Sequence, residues 1–88
     1  MVKWHLLFSK RAAQDAKKLK AANLKKKAEK LLSILETDPF QNPPIYKKLV
    51  GDLEGYYSRR INIQHRLVYS INEKKRSIRV IAMFGHYK

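Results

Sequence analysis

The chain has 88 residues, no cysteine and a formal net charge of +13, from 20 lysines and arginines against seven acidic residues. Its length predicts a single domain over residues 1–88, and the absence of cysteine excludes disulfides, thiolate metal sites and a cysteine nucleophile. No apolar run approaches the roughly 20 residues of a membrane span, so we expect a soluble cytoplasmic protein that does not act on membranes. The positive charge indicates a polyanionic partner, with nucleic acid ahead of an acidic protein.

Hydrophobic periodicity predicts the order of secondary structure. The predicted elements are a strand over 2–8, helices over 10–22 and 24–36, an irregular connection over 39–52 with a short turn near 47–49, and strands over 56–63, 65–72 and 77–84. Ser9 can cap the first helix, Asn23 interrupts the helical pattern, and Asp38-Pro39 ends the second helix. The predicted fold class is α+β, with the order β-α-α-β-β-β and a helical hairpin packed on a mainly antiparallel four-stranded sheet.

Basic residues crowd the two predicted helices. Between residues 10 and 30, nine lysines and arginines face only Asp15 and Glu29. Any one of these lysines is more simply read as part of a solvated helix surface. Together they repel one another, and proteins tolerate such repulsion where a polyanion neutralises it. The helices therefore predict a phosphate-binding surface and no catalytic role.

Arginines follow on the predicted strands. Alternation places Arg59 and Arg60 on opposite faces of the strand 56–63, and a tight hairpin brings Arg66 of the next strand beside them. A guanidinium group donates paired hydrogen bonds to phosphate and stays charged at any working pH. The arginines therefore predict a phosphate-binding surface on the sheet. The structural alternative is an arginine paired across strands or packed on an aromatic ring.

The tail that follows the last strand carries His86 and Tyr87. A terminal residue is usually frayed and tolerant of change, but this tail leaves the sheet where the arginines are expected. Cleavage of RNA by its own 2′-hydroxyl needs a base, a cation for the phosphorane and an acid for the leaving 5′-oxygen. Histidine suits the acid and arginine the cation, whereas the base is missing. No glycine-rich phosphate loop, zinc-ligand spacing or carboxylate pair competes, so we expect neither metal nor cofactor.

Two segments carry a more specific signal: the stretch 49–69, LVGDLEGYYSRRINIQHRLVY, and the ending His86-Tyr87. Together they strongly resemble the YoeB/Txe toxins of the RelE superfamily, and the resemblance follows the element order over essentially the whole chain. It implies a RelE-like, microbial ribonuclease-like fold. It also implies a ribosome-dependent mRNA interferase that cuts the A-site codon by metal-independent 2′-hydroxyl attack. The implied partner is a YefM/Phd-type antitoxin whose C-terminal segment wraps the toxin and blocks its site.

Matched position by position, the resemblance makes Arg66, His86 and Tyr87 catalytic residues and Arg60 a residue that faces the substrate. We assign Arg59, its neighbour, to substrate binding as well. The helical lysines expected to hold ribosomal RNA are Lys17, Lys18, Lys25, Lys26 and Lys27.

One position departs from the family pattern, because the glutamate that serves these toxins as general base falls at Lys47. A charged lysine cannot accept a proton. Either the positive charges around Lys47 favour its neutral form, so that lysine acts as the base, or the substitution attenuates cleavage.

Two other functions stay open on the sequence. One is a non-enzymatic gyrase poison of the ParE kind, which shares the fold, and the other is a simple basic RNA-binding module. The His86-Tyr87 ending argues against the gyrase poison, because such a protein needs no C-terminal acid.

Overall fold

A computed structural model describes residues 3–85 of the chain. Its elements are β1 (His5–Phe8), α1 (Lys10–Ala21), α2 (Lys25–Thr37), β2 (Tyr46–Lys48), a single 3₁₀ turn (Gly51–Leu53), β3 (Tyr56–Arg60), β4 (Arg66–Asn72) and β5 (Ser77–Ala82). The predicted α+β class, the helical hairpin and the mainly antiparallel sheet are confirmed. Within residues 3–85, neither helix has the length and apolarity to cross a membrane.

Within residues 3–85 the sheet has five strands in the order β1-β5-β4-β3-β2, so the predicted count of four is wrong. The additional strand is β2, which lies where an irregular connection and a turn were expected. Three residues are too few for alternation to be visible in a sequence. The strand exists because it pairs with β3, with Lys47 opposite Ser58 and Tyr46 opposite Arg59.

Both helices begin and end close to their predicted positions, for identifiable reasons. The Ser9 hydroxyl accepts the backbone N–H of Ala12 at 3.0 Å and so caps α1. Asn23 has a φ of 63°, a conformation that asparagine tolerates better than most residues and that suits the end of a helix. Asp38, which precedes Pro39, is extended at φ −158° and ends α2.

The two faces of the sheet differ in what covers them. One face packs against the helices, and its main buried cluster includes Leu19, Leu35, Leu67, Tyr69, Ile78 and Val80. The opposite face, which we call the site face, carries the row Lys47, Ser58, Val68 and Ala82, which the strand register places side by side. A smaller cluster of Leu49, Val68 and Ala82 is buried there, so the segment after β2 covers the middle of the site face.

The pairing of β4 with β5 shifts register near the C-terminal end of β5, where a bulge interrupts the ladder. Val68 pairs with Ala82 and Tyr69 with Val80, which leaves Ile81 as the extra residue of a bulge. The Ser9 hydroxyl donates to the Ile81 carbonyl at 3.0 Å. Beyond the bulge, the buried Asp15 carboxylate accepts the backbone N–H of Met83 at 3.0 Å. Helix α1 therefore holds both the bulge and the chain that leaves β5.

Among the described residues, Arg59 is the largest fully buried side chain, with 0% of its surface exposed. Its Nε donates to the Tyr69 hydroxyl at 3.0 Å, and its Nη1 and Nη2 donate to the carbonyls of Pro44 at 2.6 Å and Pro39 at 2.8 Å. The guanidinium carbon also lies 4.8 Å from the centre of the Tyr46 ring. Burial raises the pKa of Tyr69, although the adjacent guanidinium acts against that rise, so this hydroxyl stays protonated at neutral pH. Arg59 thus ties the proline-containing connection to the sheet.

We expect Arg59→Ala to lower the free energy of unfolding by about 3 kcal/mol or more, because several buried acceptors lose their donor at once. The matched control is Arg60→Ala, which removes an exposed arginine from the next position and should change that free energy by less than about 0.5 kcal/mol. Urea unfolding of both variants measures the difference. Equal stabilities would show that the Arg59 contacts do not support the fold.

Candidate active site

Arg66 begins β4 and lies on the site face, with 8% of its surface exposed. Its Nε donates to the hydroxyl of the fully buried Ser58 at 3.1 Å. Its backbone N–H donates to the Gly85 carbonyl at 3.0 Å. Within residues 3–85 the two terminal guanidinium nitrogens have no hydrogen-bond partner. Arg66 is therefore held at one nitrogen, and two others remain able to donate to an anion.

Lys47 lies directly across the β2–β3 ladder from Ser58, on the same face as Arg66. Its side chain is exposed, so it reaches solvent above the serine. Ser58 was absent from the predicted site, although alternation along β3 already placed it on the face opposite Arg59. The contact with Arg66 could not be predicted, because it depends on the register between β3 and β4.

Arg60 pairs with Arg66 across the β3–β4 ladder and is exposed. Its side chain lines a groove of about 210 Å³, which does not include Arg66. Two lysines of α2 line the same groove, whose residues are Lys27, Lys30, Leu31, Ile34, Pro44, Arg60 and Ile61. Arg60 therefore joins the basic surface of α2 at the edge of the site face.

The placement of Arg59 does not support its predicted role in substrate binding. Its side chain is fully buried on the helix-covered face, beside Tyr57 and Tyr69, and its hydrogen bonds go to the protein itself. The structural alternative, an arginine packed on an aromatic ring, describes what is found. The sequence carried this signal, since alternation groups Arg59 with Tyr57 and Ile61, both of which pack in the core.

Gly85 is the last described residue and sits beside Arg66. Its carbonyl accepts the backbone N–H of Arg66, and its own N–H donates to His65 Nδ1 at 3.0 Å. Its φ of +123° is a conformation that favours glycine. The predicted catalytic residues His86 and Tyr87 lie outside the described residues, and His86 is the next residue of the chain.

The electrostatics of the site are those of an anion receptor. Lys47, Arg60 and Arg66 form no ion pair with any carboxylate of residues 3–85. The same part of the chain contains no group of three or more histidine, aspartate or glutamate side chains placed to hold a metal ion. Uncompensated cations around an oriented guanidinium can bind a phosphodiester and stabilise the added negative charge of its phosphorane.

A separate apolar groove of about 500 Å³ lies between α1 and α2. Its apolar lining residues are Phe8, Ala13, Ala16, Leu19, Ala28, Leu32 and Met83, and its charged lining residues are Lys17, Lys20, Lys25 and Glu29. The predicted RNA-binding lysines of both helices are exposed, and Lys18 also lies 5.8 Å above the centre of the Phe84 ring. The helical surface therefore combines an apolar groove with a rim of three lysines and one glutamate.

Comparison with known proteins agrees with the predicted resemblance. The family described as "YoeB-like toxin of bacterial type II toxin-antitoxin system" matches residues 8–87. Toxin YoeB of Synechocystis is 38% identical over 87 residues, which cover 97% of this chain and 88% of that protein.

Solved structures show the same fold. The toxin in the YoeB-YefM complex from Staphylococcus aureus superposes with a TM-score of 0.77 at 36% identity, over 96% of this chain and 98% of that one. The YoeB/ParE toxin from Agrobacterium tumefaciens superposes with a TM-score of 0.85 at 28% identity, over 94% of this chain and 99% of that one. The chain belongs to the YoeB-like toxins of bacterial type II toxin–antitoxin systems.

Proposed function

We propose that this toxin is a ribosome-dependent endoribonuclease that cleaves mRNA in the ribosomal A site by attack of the RNA 2′-hydroxyl. The observation that carries the proposal is the Arg66 guanidinium, which Ser58 holds at one nitrogen while the other two have no partner within residues 3–85, beside Gly85, the residue that precedes His86. Membership of the YoeB-like family supports it. Because the proposed substrate is mRNA on the ribosome, the proposed place of action is the cytoplasm.

In this mechanism Arg66 binds the scissile phosphate and stabilises the phosphorane. Its hydrogen bond to Ser58 fixes the guanidinium plane before substrate arrives, so little reorganisation is needed as negative charge develops. His86 donates a proton to the leaving 5′-oxygen, and Tyr87 acts beside it. Both assignments follow from the family pattern. The products are a 2′,3′-cyclic phosphate and a free 5′-hydroxyl, since the attacking oxygen displaces the 5′-oxygen. The proton of the attacking 2′-hydroxyl passes to solvent water, because a charged Lys47 cannot accept it.

The basic surfaces have a proposed role in binding. Lys17, Lys18, Lys25, Lys26 and Lys27 are exposed and hold ribosomal RNA through its phosphates, without sequence preference. Arg60 extends this surface from α2 to the site face through the groove that it shares with Lys27 and Lys30. An RNA bound along α2 is thereby continuous with the site at Arg66.

The proposed protein partner is a YefM/Phd-type antitoxin. The Staphylococcus aureus relative was solved as a YoeB-YefM complex. In this chain, the apolar groove between α1 and α2 with its lysine rim fits an acidic amphipathic segment, because apolar side chains would fill the groove and carboxylates would meet Lys17, Lys20 and Lys25. Such a segment would also cover lysines that we assign to ribosomal RNA.

Replacing Arg66 tests the catalytic assignment. Arg66→Ala should slow mRNA cleavage on the ribosome about a hundredfold or more, because a donor to the phosphorane is lost. Arg79→Ala removes the same charge from an exposed position on β5 and should leave the rate within about twofold of the parent. Primer extension on ribosome-bound mRNA measures both rates. Intact mRNA with the parent protein, together with inhibition of gyrase, would favour the gyrase-poison alternative instead.

Lys47→Glu tests the departure from the family pattern. A glutamate on the site face can accept the 2′-hydroxyl proton, whereas a charged lysine cannot, so Lys47→Glu should cleave faster than the parent under single-turnover conditions. Ribosome binding should weaken or stay the same, because one attractive charge is replaced by a repulsive one. The comparison is made from pH 6 to pH 9. Slower cleavage by Lys47→Glu at every pH would show that lysine is a working base in this protein.

The antitoxin groove is tested by two neighbouring residues of β1. Phe8 lines the apolar groove at 47% exposure, and Leu7 lines the opposite face of the sheet at 55%. Phe8→Ser should weaken antitoxin binding about five- to tenfold, because apolar area buried in the complex is lost. Leu7→Ser should bind normally, and both variants should cleave mRNA normally. Calorimetric titration with a YefM-type antitoxin measures binding, and equal affinities would place the antitoxin elsewhere.

A further inference from the structure

His65 is a half-buried residue of the β3–β4 turn that makes a specific contact with the end of the described chain. Its Nδ1 accepts the backbone N–H of Gly85 at 3.0 Å. Its ring packs on Phe84, with 3.8 Å between the ring centres. A ring nitrogen that accepts a hydrogen bond carries no proton, so the imidazole is neutral with its proton on Nε2.

The turn holds the backbone of His65 firmly. The His65 N–H donates to the Asn62 side-chain oxygen at 2.8 Å, and the His65 carbonyl accepts the backbone N–H of Ile61 at 2.9 Å. Asn62 also accepts the backbone N–H of Gln64. Because the backbone of His65 is constrained, its side chain starts from a fixed position, and Nδ1 is a well-placed acceptor for the Gly85 N–H beyond the end of β5.

The segment 83–85 is held from several other sides. Asp15 accepts the N–H of Met83, and Arg11 donates to the Phe84 carbonyl at 3.4 Å. The Gly85 carbonyl accepts the N–H of Arg66 at 3.0 Å. Among these contacts, the one from His65 is the only side-chain hydrogen bond to Gly85 within residues 3–85. His65 therefore sets the orientation of the last described peptide relative to Arg66.

We propose that His65 is a positioning residue for the cleavage reaction, acting through the Gly85 peptide. The proposal rests on the proposed function, because the Gly85 peptide that His65 fixes precedes His86, the proposed acid. His65 itself donates no proton to the substrate and touches no reacting atom. Its unprotonated Nδ1 fixes the Gly85 N–H, and the adjacent Arg66 N–H fixes the Gly85 carbonyl, so two consecutive residues, His65 and Arg66, hold both polar groups of Gly85.

Two substitutions separate the acceptor from the ring. His65→Phe keeps a ring against Phe84 and removes the acceptor, whereas His65→Asn removes the ring and offers its side-chain oxygen near the place of Nδ1. We expect His65→Phe to lower kcat about 10- to 100-fold with KM within about twofold, because a small displacement of a reacting group costs rate more than binding. His65→Asn should keep kcat within about threefold of the parent.

An independent measurement reports the contact itself. The amide proton of Gly85, followed by NMR in the full chain, should exchange with solvent at least about tenfold faster in His65→Phe than in the parent or in His65→Asn. Parent-like cleavage by His65→Phe, or equal losses of kcat in the two variants, would overturn the proposal. If the parent did not cleave mRNA, the proposed function would fail. The hydrogen exchange of the Gly85 amide would then test the role of His65 by itself, and an unchanged exchange rate in His65→Phe would overturn that role.

Discussion

The position of the edge strand β2 depends on one buried cation. The Arg59 guanidinium spans from Tyr69 in the middle of the sheet to the carbonyls of Pro39 and Pro44, on either side of the connection that leads to β2. A buried arginine without a carboxylate partner is costly unless its donors are satisfied, and here carbonyl dipoles, a hydroxyl and the Tyr46 ring surround it. Because Lys47 follows Tyr46 in β2, the Arg59 contacts on the helix-covered face also position Lys47 on the site face.

Some charged side chains of this small protein support the fold, and others remain available for binding. Asp15, one of seven acidic residues, is buried and accepts a backbone N–H at the end of β5. On the surface of α1, Arg11 lies 3.5 Å from the Asp15 carboxylate, but the site cations Lys47, Arg60 and Arg66 form no ion pair within residues 3–85. Their mutual repulsion opposes folding, and a polyanion or an acidic protein segment relieves it. The chain is thereby suited to partners that carry many negative charges, as proposed for both RNA and antitoxin.

The bulge in β5 links the core to the site. With one extra residue in β5, Ala82 joins the site-face cluster while Met83 returns to the helix-covered core. The chain then reaches Gly85 between His65 and Arg66, which are neighbours in sequence at the start of β4. One local irregularity thus brings Gly85 to the oriented arginine. Bulges are often found next to functional sites.

The sequence by itself determined the order of the elements other than β2, the ends of both helices, the basic surface and the alternation that separates Arg59 from Arg60. These features follow from backbone preferences and side-chain periodicity within a few residues. The resemblance in 49–69 indicated the family and pointed to Arg66. Tertiary structure alone decided that residues 46–48 form a strand, that Arg59 reaches the carbonyls of Pro39 and Pro44, that Ser58 holds Arg66 and that His65 holds Gly85. Each of these contacts joins residues from separate segments, and its formation depends on strand register and on the packing of whole elements, which no local pattern encodes.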